Sequence, residues 1–374
     1  MAVAQPPYRA DHVGSLLRPD NVKAKRKAYF EDKSIPHEEL EAAEDAAIRD
    51  AVRMQENVGL PVVTDGEIRR AFWHYDFLDG LVGFDLEERD EGAQFAGTQM
   101  IPVHPVINER FDFPDDHPHL AHFRFVAANT GVMPKISIPG PSCGHFRTAP
   151  DDIRVKEYRD DLQAMFDDLA RTYQKAVKAF YDAGCRYLQM DDIFFAYLCD
   201  PKHREAKKKI GQDPDWLVDR YAWMMREATK VKPADMFIGM HMCRGNFKST
   251  YAAEGAYDLV ADTVFNKTGV DIFFMEYDTD RAGGLEPLKF LARGKQRVLP
   301  GFITTKVAEL EKLDDLKRKF DEAGKYADID QLGIAPQCGF ASTEAGNAIT
   351  ADDQKRKLDL VVRTAEAIWG GVAK

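Results

Sequence analysis

Cysteine is scarce in this 374-residue chain: there are five, Cys143, Cys185, Cys199, Cys243 and Cys338, scattered and odd in number. A disulfide framework needs paired cysteines in a small secreted chain, so these five are expected to be thiols, metal ligands or buried small hydrophobes in a reducing compartment. No run of about 18 apolar residues occurs, which leaves nothing to span a bilayer. The N-terminal stretch 1–7 lacks the basic and apolar regions of a signal peptide, and a cytoplasmic location is expected. An excess of positive charge is also missing. Lys plus Arg total 51 against 62 for Asp plus Glu, a net charge of −11 that repels phosphate backbones and anionic lipid, so nucleic acid and membranes are excluded as expected partners. No repeat of fixed period marks a solenoid.

What is present is ordinary globular material, 44% hydrophobic and 30% charged with 26 Gly and 19 Pro, enough for one large domain or two smaller ones. Short apolar runs alternate with amphipathic stretches. Strand candidates fall near residues 12, 63, 136, 188, 239, 273, 298 and 333, and helix candidates at 36–58, 162–180, 216–230, 251–264, 307–327 and 352–369. Leu162, Met165, Phe166, Leu169, Tyr173, Ala176, Val177 and Phe180 make one apolar stripe closed by Gly184, the pattern of a core-facing helix. Eight strands alternating with helices predict an α/β fold, a (β/α)8 TIM barrel formed as a single domain over 1–374, with a doubly wound open sheet as the competitor. Residues 75–133 break the alternation and read as a long insertion between strands two and three, of the kind that covers or lines a site.

In such a barrel the chemistry collects at the C-terminal ends of the strands. There stand His241, Cys243, Glu276 and Cys338, all residue types that bind Zn²⁺, a borderline-soft ion that accepts imidazole, thiolate and carboxylate. His-x-Cys puts both side chains on one face of an extended segment. Taken singly, each Cys is more often a small buried hydrophobe than a ligand. His117-x-His119, beside Asp115 and Asp116, reads as a solvated loop rather than a second metal site, and Trp73 and Phe77 as either core or a stacking surface.

The runs Gly239 to Asn246 (GMHMCRGN), Phe274 to Tyr277 (FMEY) and Gln337 to Thr343 (QCGFAST), preceded in order by His12 to Pro19 (HVGSLLRP), Thr64 to Arg70 (TDGEIRR) and Tyr187 to Asp192 (YLQMDD), resemble the zinc-binding C-terminal barrel of cobalamin-independent methionine synthase. The likeness is to the short single-barrel bacterial members and extends through nearly the whole chain. It implies a Zn²⁺ cofactor on His241, Cys243, Glu276 and Cys338, and a homocysteine thiol that joins it as thiolate and takes a methyl group to give methionine. It also implies an amino acid site at Val13, Ser15, Glu67 and Asp191, where the two carboxylates pair with an ammonium and Ser15 bonds a carboxylate. Asp191 and Lys306 are the residues expected to take part in catalysis.

Two departures from the family pattern stand out. Nothing corresponds to the N-terminal half of the long synthases, so the methyl donor is left open among a methylfolate, a methylcobamide and a sulfonium. Lys306, in Gly301 to Lys306 (GFITTK), stands where the family carries a catalytic histidine, and its unperturbed pKa of about 10.4 makes it a different acid. The alternative within the same superfamily is a zinc alkyltransferase on another thiol such as coenzyme M, for which Arg18, Arg69, Arg70 and Arg244 could supply basic groups. The expected partners are small molecules, homocysteine and a donor, with a homodimer left open.

Overall fold

The computed structural model describes residues 4–89, 94–95, 98–99, 103–294 and 296–373. Its centre is a five-stranded parallel sheet of Ile136–Pro139, Tyr187–Asp191, Phe237–Met242, Ile272–Glu276 and Arg297–Gly301, neighbours in that order. Each strand is buried along its length or nearly so, as expected of a parallel sheet covered on both faces. Met133–Pro134, just before the first of these strands, pairs in parallel with Val62–Val63. At the far edge, Leu332 bridges Val298 and Ile334 bridges Ala10, both in parallel. The 10–15 segment expected as a strand therefore contributes a single bridge. Its next link is lateral: the Leu16 amide donates to Gly66 O at 2.9 Å and the Thr64 hydroxyl to Gly14 O at 2.6 Å. The fold is mixed α/β with parallel strands and interleaved helices, and its named sheets stop short of a continuous ring.

The helices form for reasons visible in the chain. Leu162–Asp182 starts where the Asp161 side chain accepts from the Gln163 amide at 2.9 Å, and it buries Met165, Phe166, Leu169, Tyr173, Val177 and Phe180 against the sheet. Each such side chain contributes about 1.5–3 kcal/mol by leaving water. Ala351–Trp369 begins with a reciprocal capping box between Thr350 and Asp353 and ends at Gly370, whose φ of 76° is the left-handed cap a glycine supplies without strain. The helix expected over 307–327 is shorter, Leu313–Ala323, because the chain before it is tied down by Glu311, which accepts from the Thr304 amide at 2.8 Å. The helix expected at 251–264 starts later and ends later, at Ala261–Lys267, after a 3₁₀ turn at Tyr257–Leu259.

Between Val62–Val63 and Met133–Pro134 lie a helical turn, Tyr75–Leu78, an antiparallel hairpin of Val82–Glu88 with Val103–Asp112, and the helix Pro118–Ala128. His117 and His119 belong here, and both are 1% exposed. The expectation of a solvated loop is thus corrected. Phe113 stacks on His117 at 4.8 Å, and the His117 ring nitrogen Nε2 lies 3.0 Å from Phe77 O, so the apolar face of the helix draws both rings inward. Phe77 is core. No described helix is long and apolar enough to cross a membrane.

Candidate active site and metal centre

Sheet register assembles the site. Asp191 is the register partner of His241 on the neighbouring strand, and Glu276 that of Gly301. The Asp192 amide donates to His241 O at 2.9 Å and locks the two strand ends together. His241, Cys243 and Cys338 are buried, and their ligand atoms all lie within 4.8 Å of one another. They are the one group of three potential metal ligands among the described residues.

The donor set suits zinc on three counts. Both ring nitrogens of His241 are buried without a hydrogen-bond partner, a costly state for a polar atom unless something else takes the lone pair. The two sulfurs are 3.7 Å apart, in hydrogen-bond contact and not joined as a disulfide, near the edge of about 3.8 Å that a tetrahedron with Zn–S of about 2.3 Å requires. The protons are already unevenly shared. Contact with Cys243 holds the Cys338 thiol well below its ordinary value, with His241 and Lys306 assisting against burial, while Cys243 is pushed up. Burial would lower His241, but the neighbouring Cys338 more than reverses that.

Glu276 does not join this group. Its carboxylate accepts from Arg281 at 2.5 Å and from the Arg244 amide at 2.8 Å. Burial alone would raise this carboxyl, but Lys306, Arg244 and Arg281 hold it below the usual range. Lys306 carries a buried ammonium with no hydrogen-bond partner, whose charge is felt at Glu276, Asp278 and both cysteines. It is not among the residues that line the cavity over the cluster.

That cavity has about 520 Å³ of space, its open mouth included, and is lined by Val13, Ser15, Glu67 and Asp191 together with His241, Cys243 and Cys338. Asp191 accepts from Gln189 Nε2 at 2.7 Å, and burial, opposed by His241, pushes its carboxyl up to about 7. Glu67 is raised by burial against the pull of Arg70 and Arg18; its Oε1 accepts from the Ser137 hydroxyl at 2.8 Å and its Oε2 has no hydrogen-bond partner. Glu67 also has a φ of 56°, a left-handed conformation that a non-glycine residue holds only when its surroundings enforce it, often at a functional site. The Asp65 side chain enforces it by accepting from the Glu67 amide at 2.8 Å. Gly339 passes so close to Ser15 that a β-carbon there would meet its hydroxyl at 1.9 Å, so glycine is required beside the hydroxyl.

Sequence reasoning missed the support behind Asp191. Lys135 Nζ, fully buried, donates to Asp11 at 2.7 Å and to Gln189 Oε1 at 2.9 Å, and the Gln189 amide reaches Val13 O and Asp191. The alternation of Gln189 and Asp191 along one strand was the available signal. Also unforeseen are Arg147, Tyr197, Asn246 and Phe247 in the cavity wall. Trp73 lines the cavity too, stacked on His74 at 4.6 Å.

Comparison with known proteins fits this geometry. Residues 10–361 match the family model for the catalytic domain of cobalamin-independent synthase. The chain is 43% identical over 364 residues to the uncharacterised protein YxjH of Bacillus subtilis, covering 97% of this chain and 95% of that one. A methionine synthase of Pyrococcus abyssi is 24% identical over 82% of this chain and 78% of its own length. The crystal structure of a putative vitamin-B12-independent methionine synthase from Listeria monocytogenes superposes with a TM-score of 0.78 at 38% identity, covering 99% of this chain and 100% of that one. The chain belongs to the cobalamin-independent methionine synthase family, a family of methyltransferases. It is of the short form, since it spans nearly the whole of YxjH and of the Listeria protein.

Proposed function

We propose that this protein is a zinc-dependent methyltransferase that transfers a methyl group to the thiol of homocysteine, giving methionine. The observation that carries the reading is the convergence, in one cavity, of a thiol–imidazole cluster with two buried carboxylates, Glu67 and Asp191. We further propose that the parallel strands and single bridges belong to one (β/α)8 barrel over residues 1–374, with 75–133 as an insertion that follows directly on Trp73 in the cavity wall.

In this reading His241, Cys243 and Cys338 hold zinc, with Glu276 as the fourth and exchangeable ligand once it gives up Arg281. Zinc there supplies a soft Lewis acid that keeps a sulfur ligand deprotonated at neutral pH. Glu67 and Asp191 hold the ammonium of the amino acid, which orients its thiol toward the cluster. The Ser15 hydroxyl and the backbone at Val13 take its carboxylate end. Gln189, held by Lys135, fixes the Asp191 carboxylate. Trp73, Tyr197 and Phe247 keep water from the reacting sulfur. Lys306, buried behind the cluster and outside the cavity wall, balances the charge of Glu276 and the thiolate.

The coenzyme M alternative needs basic groups in the cavity for a sulfonate, and Arg18, Arg69, Arg70 and Arg244 are otherwise engaged, which leaves Arg147 as the one Lys or Arg among the described residues lining it. Arg18 donates to Leu16 O and Ala341 O, Arg70 to Ser137 O, Arg244 to Ala282 O, and Arg69 pairs with Asp45. The test is methionine formation by zinc-loaded protein from homocysteine with 5-methyltetrahydrofolate, methylcobalamin and S-methylmethionine in turn. At least one donor is expected to give methionine; failure with all three, alongside alkylation of coenzyme M, refutes the reading.

A further inference from the structure

We propose that Arg147 is the receptor for a carboxylate carried by the methyl donor, and that it selects donors bearing one. The inference rests on the methyltransferase reading and adds the chemistry of the second substrate.

Among the described residues lining the cavity, Arg147 is the only lysine or arginine. It follows the short helix Cys143–Phe146, beyond the strand Ile136–Pro139, and so enters the cavity from a strand end as the acceptor residues do. Its guanidinium is faced by rings, with the Phe194 centroid at 5.5 Å and that of Tyr197 at 6.0 Å. Its Nε is buried without a hydrogen-bond partner, and the neutral groups that face its charge are Tyr197, Tyr75 and Cys143. Among the described residues it forms no ion pair. Buried arginines elsewhere in the fold differ: Arg26 pairs with Glu44 and Glu344, Arg70 approaches Glu67, and Arg244 is wrapped by carbonyls.

A second cation stands close by. Lys207 lies over the Phe146 ring at 4.1 Å and donates to Phe146 O at 3.3 Å, with no described carboxylate paired to it. Burial, with Arg147 adding to it, lowers this ammonium to about 8. In a chain with a net charge of −11, two partly desolvated cations without a counter-charge are costly, and ring faces compensate only in part. An anionic ligand supplies the missing pairing.

The acceptor does not need that pairing, because its ammonium has Glu67 and Asp191 and its carboxylate has Ser15. The guanidinium fork is left for the other substrate, and its planar donors match a carboxylate two bonds at a time. Both a methylfolate, through its glutamyl group, and an amino acid sulfonium such as S-methylmethionine carry this group.

The test uses zinc-loaded protein with methionine filling the acceptor site, so that no turnover occurs. Calorimetry compares 5-methyltetrahydrofolate with its glutamyl diamide, and S-methylmethionine with its decarboxylated analogue. The carboxylate-bearing member of at least one pair is expected to bind tenfold or more tighter. Arg147→Met should abolish that preference and Arg147→Lys retain part of it, with zinc content and homocysteine affinity within twofold of the native protein. Absence of the preference in the native protein, or its survival in Arg147→Met, overturns the proposal. So does a loss of homocysteine or coenzyme M affinity in Arg147→Met, which would give the guanidinium to the acceptor. Failure of the native protein to bind homocysteine at all would instead count against the methyltransferase reading, and the donor comparison would still read Arg147 directly.

Discussion

His241 and His119 are buried alike, at 2% and 1% exposure, and both leave two ring nitrogens without a hydrogen-bond partner. Around His241 are two thiols and, one strand away, Asp191. Around His119 are Phe77 at 5.4 Å, His117 at 5.2 Å and His122 at 5.1 Å. The first ring is raised toward its charged form by Cys338 in spite of burial; the second is driven toward neutrality by burial, then by Arg70 and the other histidines. Equal burial of the same side chain thus gives a candidate ligand in one region and packing in the other, and the neighbours decide which.

The sharpest way to break this contrast is to remove a sulfur. Cys243→Ser or Cys338→Ser should lose most of about one zinc per chain, because a hydroxyl is a far poorer ligand than a thiolate. Elemental analysis of the purified variants measures this, and full occupancy in both would remove the site.

The packed region is tested by acid. Burial holds His117 down to about 4 and lowers His12, His74, His119, His122 and His145 as well. A histidine whose folded pKa lies below its unfolded value near 6.5 binds more protons when unfolded, so its stability is present above that pH and lost as pH falls. Asp191 and Asp192, which burial pushes up to about 7, act in the opposite direction over the same window. The strongly lowered rings outnumber the two carboxyls raised to about 7, so stability is expected to fall as pH drops below about 6.5. Thermal melts should fall steeply between pH 6.5 and 5.5, less so in His117→Phe. An unchanged Tm across that range would mean the rings charge where they sit.

A smaller effect is expected at the carboxylates beside the cluster. Asp191→Asn should weaken homocysteine binding by about 1.5–3 kcal/mol, the worth of a charge-assisted hydrogen bond, while zinc content stays intact. Calorimetric titration reads the first and elemental analysis the second; unchanged affinity would move the amino acid site. The smallest change belongs to His119→Phe, which should leave zinc stoichiometry at its native value, since the aromatic cluster tolerates a ring of similar shape. Loss of metal in that variant would erase the distinction drawn between the two histidines.

The residues that carry this contrast differ in how readable they were. The strand ends at Asp191, His241 and Glu276 were legible because a buried parallel strand is an apolar run that stops at a polar residue, and the register then brought Asp191 beside His241. Cys338 was legible only through its motif, since it arrives on a segment that pairs by isolated bridges at Ile334 and Pro336. The burial of His117 and His119 was not legible. Asp115 and Asp116 next to them suggested solvent, and the inward turn comes from Phe77 and Phe113, which are distant along the chain or hidden by an irregular pattern. Lys135 gave no signal, because a lysine three residues after Val132 looks like any surface lysine until Asp11 and Gln189 close around it.

The 3.7 Å approach of Cys243 to Cys338 carries a liability as well as a function. With a cation between them the two sulfurs share their electrons with it; once stripped of it they are a facing thiol and thiolate, the pairing most open to two-electron oxidation by a peroxide. In the zinc reading, the same closeness that suits the pair to hold a metal exposes it, once stripped, to being sealed as a disulfide, and the protein's working lifetime would depend on how quickly a lost ion is replaced.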